Sequence, residues 1–240
     1  MAGSVKSIID YSGMEGLLVH VECHITNGLP SIIIIGHVTK SVDEAKERLR
    51  ASFTNSSLQF PKKRVTINLS PADVSKDSTS LDLAMAVAVM LEAKLVDGAN
   101  LKKTVFLGEM SLDGSLNPVR GLIGRLLAAK RFGAETVYLP LANLEQAKIV
   151  PHLTIKAASS LRDVYLETWT DYASAARLHY LFELGRTLGG LHQAVSYQLI
   201  IRSVEPAARH ECSGALAYWL RYVLQRLAGP SEAPDPHRPD

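Results

Sequence analysis

The feature that most limits the possible folds is an almost wholly apolar segment, residues 81–93, with the sequence LDLAMAVAVMLEA. Its alanine, methionine and leucine residues favour a helix, but such a helix has no polar face that could lie against water. Other elements must therefore enclose it on every side. We predict a central core helix in a domain large enough to surround it.

Strand patterns occur on both sides of this segment. Residues 17–25 (LLVHVECHI) alternate apolar and polar side chains, and residues 30–35 (PSIIII) form a β-branched run typical of a buried strand, so we predict two adjacent strands here. Residues 64–69 (RVTINL) and 136–139 (TVYL) predict further strands. Asp113-Gly114 between apolar residues is a strong hairpin signal.

Amphipathic helices complete the pattern. Residues 42–55 are predicted to form one, with Ser41 as its N-cap and Glu44 completing a capping box. The apolar face of this helix consists of Val42, Ala45, Leu49 and Phe53. Residues 122–131 form another helix, with Gly133 as the residue just beyond its end. Because strands alternate with helices and hairpins, we predict an α+β domain.

The composition changes near Trp169, where lysine disappears from the chain. Residues 168–240 contain no lysine but seven arginines and seven acidic residues. The last stretch is rich in proline and small polar residues, as disordered segments are. We therefore expect a domain at residues 1–167, a partly helical segment at 168–228 and a disordered tail at 229–240.

The segment after Trp169 has mixed patterns. Residues 173–188 and 216–227 have the spacing of helices, whereas residues 195–204 look more like a strand. One hypothesis is that a frameshift has made this segment an out-of-frame translation. The rival hypothesis is a genuine carboxy-terminal region of a short paralogue.

Composition excludes several protein classes. The longest apolar stretches fall far short of the ~20 residues that cross a bilayer, and the amino terminus lacks a signal pattern, so we expect a cytoplasmic protein with no membrane partner. Cys23 and Cys212 suggest neither a disulfide framework nor a zinc site, and His20 and His24 have no third metal ligand placed near them. The formal net charge of +2 gives no overall attraction to nucleic acid, so any DNA contact has to come from local basic patches.

Four blocks of sequence carry a family resemblance. They are residues 28–30 (GLP), 47–51 (ERLRA), 60–73 (FPKKRVTINLSPAD) and 106–116 (FLGEMSLDGSL). In this order they closely resemble the amino-terminal, Lon-protease-like and ChlI-type domain of the ComM/YifB family of magnesium-chelatase-like AAA+ ATPases. The resemblance implies a fold like ribosomal protein S5 domain 2, which is shared with the Lon protease domain and the carboxy-terminal domain of RadA.

The resemblance also implies a function for complete family members: ATP-driven branch migration of DNA by a hexameric ring, in homologous recombination and natural transformation (competence). The Walker A pattern G-x-x-x-x-G-K-[ST] does not occur in these 240 residues, and the nearest stretch, residues 185–190 (GRTLGG), lacks its lysine. We therefore expect a non-catalytic Lon-like module without its ATPase motor. It would need no cofactor of its own, although full-length relatives use ATP and Mg²⁺, and by resemblance it would self-associate into a ring.

The alternative function is a residual serine hydrolase or peptidase of the Lon type. By resemblance, Ser80 within residues 76–82 (KDSTSLD) matches the nucleophile position, and Ile123 stands where the lysine base would be. A serine hydroxyl needs such a base within hydrogen-bond reach, but Arg125 stays protonated and Lys130 lies seven residues along the helix, roughly 10 Å away. The plainer interpretation is that the hydroxyl residues cap the core helix. We therefore predict no catalytic residue.

Two basic clusters are candidate DNA contacts. Lys62, Lys63 and Arg64 form the denser one, at the entry to a predicted strand. The second cluster surrounds the later helix and consists of Arg120, Arg125, Lys130 and Arg131. Such residues can neutralise phosphates and give salt-sensitive, sequence-independent binding. A solvated loop and an ordinary helix face are the plainer interpretation, which the sequence alone favours.

Overall fold

The structure is a computed structural model that describes residues 3–12, 15–76, 78–99, 101–206 and 209–228. Asp77 and the tail predicted to be disordered, residues 229–240, lie outside the described residues. The chain divides into two compact units, Met1–Asp171 and Tyr172–Asp240. Within the described residues, no helix is both long and apolar enough to cross a membrane.

A mixed sheet forms the centre of the first unit. Among the described residues its strands are β1 (Gly3–Ser12), β2 (Glu15–Thr26), β3 (Ser31–Ile35), β4 (Arg64–Ser70), β5 (Thr104–Phe106), β8 (Thr136–Pro140) and β9 (Thr154–Ala158). Their spatial order is β3-β4-β2-β1-β5-β8-β9. Strand β2 is antiparallel to both β1 and β4, whereas the other neighbouring strands run parallel. A separate hairpin pairs β6 (Glu109–Met110) with β7 (Leu116–Asn117).

Helices cover both faces of this sheet. The helices of the first unit are α1 (Lys40–Asp43), α2 (Ala45–Asn55), α3 (Asp82–Glu92), α4 (Leu122–Arg131), α5 (Leu144–Ala147) and α6 (Leu161–Glu167). Gly3 of β1 lies so close to α3 that a Cβ would be 2.5 Å from the Ala88 carbonyl oxygen. On the other face of β1, Ile8 joins Leu122 and Leu126 of α4 in one hydrophobic cluster. The predicted α+β class is therefore confirmed.

The predicted core helix is confirmed as α3. Residues 83–90 are each at most 1% exposed, because α3 packs against β1 and β2 on one side and α2 on another. The predicted end of α4 is also confirmed, since Gly133 follows it in the left-handed region with φ of 77°. The hairpin signal is confirmed too: Gly114, with φ of 89°, lies in the turn between β6 and β7.

Two local predictions for the first part of the chain are wrong. Strands β2 and β3 are not adjacent, because β4 pairs between them. The helix predicted at 42–55 is divided into α1 and α2 at Glu44, and Thr39 rather than Ser41 precedes its first residue. No side-chain capping bond forms at either start, so the capping box is absent there. The predicted apolar face is nevertheless confirmed, since its four side chains are fully buried.

The second unit is a pair of helices, α7 (Ala175–Ser203) and α8 (Arg209–Ala228), which pack against each other. The strand predicted for residues 195–204 is wrong, because α7 continues through Ser203. β-Branched residues disfavour helix only weakly, and packing along a long helix overrides that preference.

Candidate functional site

A polar cavity of about 660 Å³ lies beside the first turn of α3. Its lining comes from β1, α1, the turn before α3, the β6–β7 hairpin, the connection from β7 to α4, and α4 itself. It consists of Asp10, Ser41, Ser78, Thr79, Ser80, Glu109, Asn117, Pro118, Val119, Arg120 and Arg125. The cavity thus brings the nucleophile candidate Ser80 together with two arginines from the second basic cluster.

Three hydroxyl residues form the short turn that leads into α3. The Ser78 hydroxyl accepts a hydrogen bond from the Ser80 N–H at 3.4 Å, and the two serine Oγ atoms are 2.7 Å apart. The Thr79 hydroxyl donates to the Glu109 carboxylate, which also accepts from the Asn117 side-chain amide at 3.3 Å. Ser78 therefore caps the short turn before α3. The N-cap of α3 itself is Leu81, without a side-chain capping bond, so the hydroxyls do not cap the core helix as the plainer interpretation expects.

The Arg125 guanidinium, only 5% exposed, reaches this turn from α4. Its Nε and Nη2 donate to the two carboxylate oxygens of Asp10 at 3.2 and 2.7 Å. Its Nη1 donates to the Ile8 carbonyl oxygen at 3.2 Å and to the Ser80 hydroxyl oxygen. A planar group with five N–H donors suits this forked arrangement. Arg125 consequently ties α4, β1 and the start of α3 together.

The side chain that faces Ser80 therefore comes from position 125 rather than from position 123, where the resemblance placed the base. Ile123 instead packs against the hydrophobic cluster under α4. Because a guanidinium stays protonated, Arg125 donates to the Ser80 oxygen and cannot remove the hydroxyl proton. The Lys130 Nζ atom donates to the Pro151 carbonyl oxygen at 3.3 Å. None of these three side chains supplies a base to Ser80.

A buried ion pair supports the same turn. Asp82, fully buried in the first turn of α3, accepts hydrogen bonds from Arg48 Nε and Nη2 of α2 at 2.6 and 3.0 Å and from the Met110 N–H at 3.2 Å. Burial raises the pKa of the Asp82 carboxyl, and the hydrogen bonds from Arg48 and Met110 oppose that shift. Sequence analysis missed this pair, although a lone charged residue at the start of an apolar helix signals a buried partner.

The denser basic cluster lies beside a second groove of about 930 Å³. Lys62, Lys63 and Arg64 are exposed where the chain enters β4, and the two lysines line the groove. Exposed Lys94, which follows α3, lines it as well. The acidic residue of the groove, Glu92, accepts a hydrogen bond from a backbone N–H at 3.0 Å. Sequence analysis missed Lys94 because it stands alone between apolar neighbours in the sequence.

The second basic cluster is divided by the fold. Arg125 is buried and paired with Asp10, so it is not available to a phosphate at the surface. Arg131 is exposed, but its Nη2 donates to the Gly16 carbonyl oxygen at 3.0 Å. Lys130 is exposed and bonded to a carbonyl as described above, and Arg120 is exposed at the polar cavity. Only Arg120, Lys130 and Arg131 of this cluster therefore present charge to solvent.

Neither histidines nor cysteines form a metal centre in the part of the chain that the structure describes, where no group of three or more His, Cys, Asp or Glu side chains could hold an ion. The His24 Nδ1 atom lies 3.2 Å from a Glu92 carboxylate oxygen. Burial, with a contribution from the Glu92 charge, raises the pKa of the Cys23 thiol to about 12. Cys23 is therefore a protonated core residue at neutral pH.

Residues 21–143, just over half of the chain, match the family described as subunit ChlI of Mg-chelatase. The chain belongs to the ChlI family. Its ChlI region includes the turn before α3, the buried Arg48–Asp82 pair and both basic clusters. Asp10, the partner of Arg125, lies outside that region.

Individual relatives extend the ChlI match. An uncharacterized protein of Mycobacterium tuberculosis is 36% identical over 157 residues, which cover 65% of this chain and 31% of the relative. Competence protein ComM of Haemophilus influenzae is 34% identical over 152 residues, or 63% of this chain and 30% of ComM. A Lon protease of Clostridium beijerinckii is more distantly similar, 26% identical over 190 residues that cover 75% of this chain and 23% of the protease. The chain thus spans less than a third of the length of these relatives, and the predicted resemblance to ComM-type proteins is confirmed.

Proposed function

We propose that this chain is a non-catalytic, Lon-like module of a ComM-type protein that associates with DNA during branch migration in recombination and natural transformation. The observation that carries the proposal is the exposed cluster Lys62, Lys63 and Arg64, set beside a groove within the ChlI-family region. The finer fold that we propose is that of ribosomal protein S5 domain 2, with side-by-side association into a ring as in Lon-like domains.

Electrostatics support DNA as the partner of this surface. Each lysine or arginine that neutralises a phosphate releases a condensed counterion, so a cluster of cations binds DNA without reading its sequence. Lys94 on the same groove adds a fourth exposed cation. By contrast, Lys130 and Arg131 already donate to backbone carbonyls. The groove cluster is therefore the contact surface that we propose.

In the proposed module, the single sequence candidate for a nucleotide-binding loop is not one. The stretch nearest in sequence to a phosphate-binding loop, residues 185–190, lies inside α7. Backbone N–H groups within a helix donate to carbonyls four residues earlier and cannot point at a phosphate. Gly190 also faces the Tyr222 ring, where a Cβ would be 2.7 Å from a ring carbon. This stretch does not fit a nucleotide, so ATP chemistry is not assigned to it.

The hydrogen bonds of Ser80 support a non-catalytic module over a serine hydrolase. Its hydroxyl lies between the Ser78 hydroxyl and a permanently protonated guanidinium. General-base activation of a serine requires a neighbouring group that can accept the proton. The similarity to Lon therefore supports a shared fold rather than a shared reaction.

Fluorescence anisotropy with labelled duplex and branched DNA tests the proposal on the full chain, and light scattering gives the oligomeric state in parallel. If three cations make the contact, the association constant should fall roughly 40-fold between about 50 and 200 mM salt. Absence of binding to both DNA forms at the lower salt concentration would refute DNA association by this chain.

A further inference from the structure

The helical pair of the second unit leaves one apolar stripe of α7 exposed. Six side chains, spaced three or four residues apart and 40–57% exposed, form it: Leu181, Leu184, Leu188, Leu191, Val195 and Leu199. At about 100° per residue they fall within ~80° of the helix circumference, and they extend over ~27 Å. A narrow stripe of this kind is typical of helices that pair lengthwise with another helix.

A different side of α7 packs against α8. Gly190 and Ala194 are buried there, with Gly190 against the Tyr222 ring. An ion pair between Glu183 Oε2 and Arg226 Nη1 at 2.6 Å, together with the Gly190–Tyr222 contact, sets the antiparallel register. Gly190 lies roughly 140° around α7 from the middle of the stripe, so α8 does not cover the stripe.

Helix α8 adds three exposed leucines to the same side of the pair. Leu220, Leu224 and Leu227 are 45%, 64% and 70% exposed and fall within ~60° of the α8 circumference. Val223, which is buried, marks the side of α8 that faces α7. Because the two helices are antiparallel, the three leucines lie on the same side of the helical pair as the α7 stripe. We name these three leucines and the α7 stripe the leucine face.

The middle of the leucine face carries no charged side chain. Residues 187–201 of α7 contain no Asp, Glu, Lys or Arg. The preceding charged residues, Glu183 and Arg186, pair with each other at 2.9 Å, and Glu183 also pairs with Arg226 of α8. Exposed Arg177 and Arg202 lie beyond the two ends of the leucine face, on the same side of α7. The uncharged middle of the face therefore suits another apolar helix surface better than a phosphate backbone or an acidic protein.

The size of the leucine face fits pairing with a second copy. Nine half-exposed leucine and valine side chains present several hundred Å² of apolar surface, at or above the ~300–600 Å² of the largest patch on a typical monomer. A standard interface buries ~800 Å² per partner. A two-fold axis would match the leucine face with itself, and two helical pairs packed in this way make a four-helix bundle.

We propose that the leucine face is a homodimer interface, through which two copies of this chain pack their α7–α8 hairpins into a four-helix bundle. The occupant is a second copy because the middle of the face is apolar and uncharged, and because the face approaches the area that a stable dimer needs. The interface shares no residues with the basic groove, so the dimer proposal can be tested independently of DNA binding.

Light scattering of the full chain over a range of concentrations tests the interface. The wild type should show at least twice the mass of one chain, and Leu188→Glu should at least halve that mass. The matched control is Ile200→Glu, since Ile200 is 42% exposed on the same helix but lies off the leucine face. Circular dichroism checks that both variants keep their helices. A wild type with the mass of a single chain would overturn the proposal.

Cross-linking tests the same contact without weakening it. In a Cys212→Ser background, Leu191→Cys should be joined to a second chain by a short bis-maleimide at least tenfold faster than Ile200→Cys. Equal rates for the two cysteines would overturn the proposal, as would an unchanged mass for a folded Leu188→Glu. Either result would mean that another surface holds the copies together, or that the leucine face has a different occupant.

Discussion

At the residue scale, buried Arg125 and partly buried Arg48 bring charge next to the turn that begins α3. Arg48 binds the fully buried Asp82, and Arg125 binds Asp10 while donating to Ser80. Removing Arg48 would leave the Asp82 charge buried and uncompensated, which costs more free energy than the intact pair contributes. These arginines therefore connect α2, α4 and β1 to the turn that begins α3.

Arg48→Met should lower the free energy of unfolding by about 3–5 kcal/mol, because it leaves the Asp82 carboxylate buried without its cation. Urea denaturation measures the change. Arg50→Met is the matched control on the same helix: Arg50 is 46% exposed and its nearest ion-pair partner is 3.9 Å away, so its loss should cost less than about 0.5 kcal/mol.

The double variant Arg48→Met with Asp82→Leu separates charge from packing, because it removes both charges at once. It should recover most of the stability lost in Arg48→Met. If Arg48→Met proved as stable as Arg50→Met, the Arg48–Asp82 pair would have no such structural role.

Ser80 should be inert as a nucleophile, since its hydroxyl accepts a hydrogen bond from the Arg125 guanidinium. The full chain and Ser80→Ala should therefore release a fluorogenic peptide or ester product at the same background rate. A wild-type rate clearly above that of a folded Ser80→Ala would instead show that a group near Ser80 accepts its proton.

Some residues of the polar cavity could be predicted from the sequence. The resemblance identified Ser80, and the amino-acid chemistry excluded a guanidinium as its base. The resemblance assigned the base position to Ile123, whereas the structure brings Arg125 to Ser80, because the sequence alone does not show which residue of α4 faces β1. The Asp10 and Arg48 contacts depend on pairings across 115 and 34 residues, which no local pattern contains.

At the scale of elements, local patterns predicted most strands and helices of the first unit, because each buries one alternating or helical face. Strand order was not predictable in the same way. Strand β4 pairs between β2 and β3 although it follows both in the chain. In the second unit, the Val- and Ile-containing end of α7 resembles a strand locally, but the helix continues through it.

Gly36 follows β3, the edge strand of the sheet, and a substitution there measures how tightly β3 packs against β4. Its φ is 114°, and a Cβ there would lie 2.1 Å from the Leu69 carbonyl oxygen of β4. Gly133 shares the positive φ, at 77°, but a Cβ there meets nothing within 4 Å. Gly133→Ala should therefore cost only the left-handed backbone strain, about 1–2 kcal/mol.

Gly36→Ala should cost roughly 2 kcal/mol more than Gly133→Ala, because the backbone of β4 must also move. Thermal or urea unfolding of both variants measures the difference. Equal losses of stability would mean that β3 and β4 can separate at this point without cost.

At the scale of the whole molecule, the chain combines a ChlI-family α+β unit with a helical pair. The net charge of +2 does not identify a nucleic-acid partner, but the fold places Lys62, Lys63 and Lys94 at one groove and buries Arg125. The proposed function is therefore supported by where the charges lie, not by the net charge. The chain covers 30% of its relative ComM, which is named a competence protein.

The salt dependence of DNA binding tests the central claim most directly. Anisotropy titrations across salt concentrations should give a linear plot of log K against log salt, and replacing Lys62, Lys63 and Arg64 with Ala should flatten its slope by about 2.7. Replacing Arg120, Lys130 and Arg131 with Ala removes the same charge from the other cluster and should leave the slope nearly unchanged. A slope that stays the same in the first variant, or flattens equally in both, would contradict the assignment of DNA to the groove.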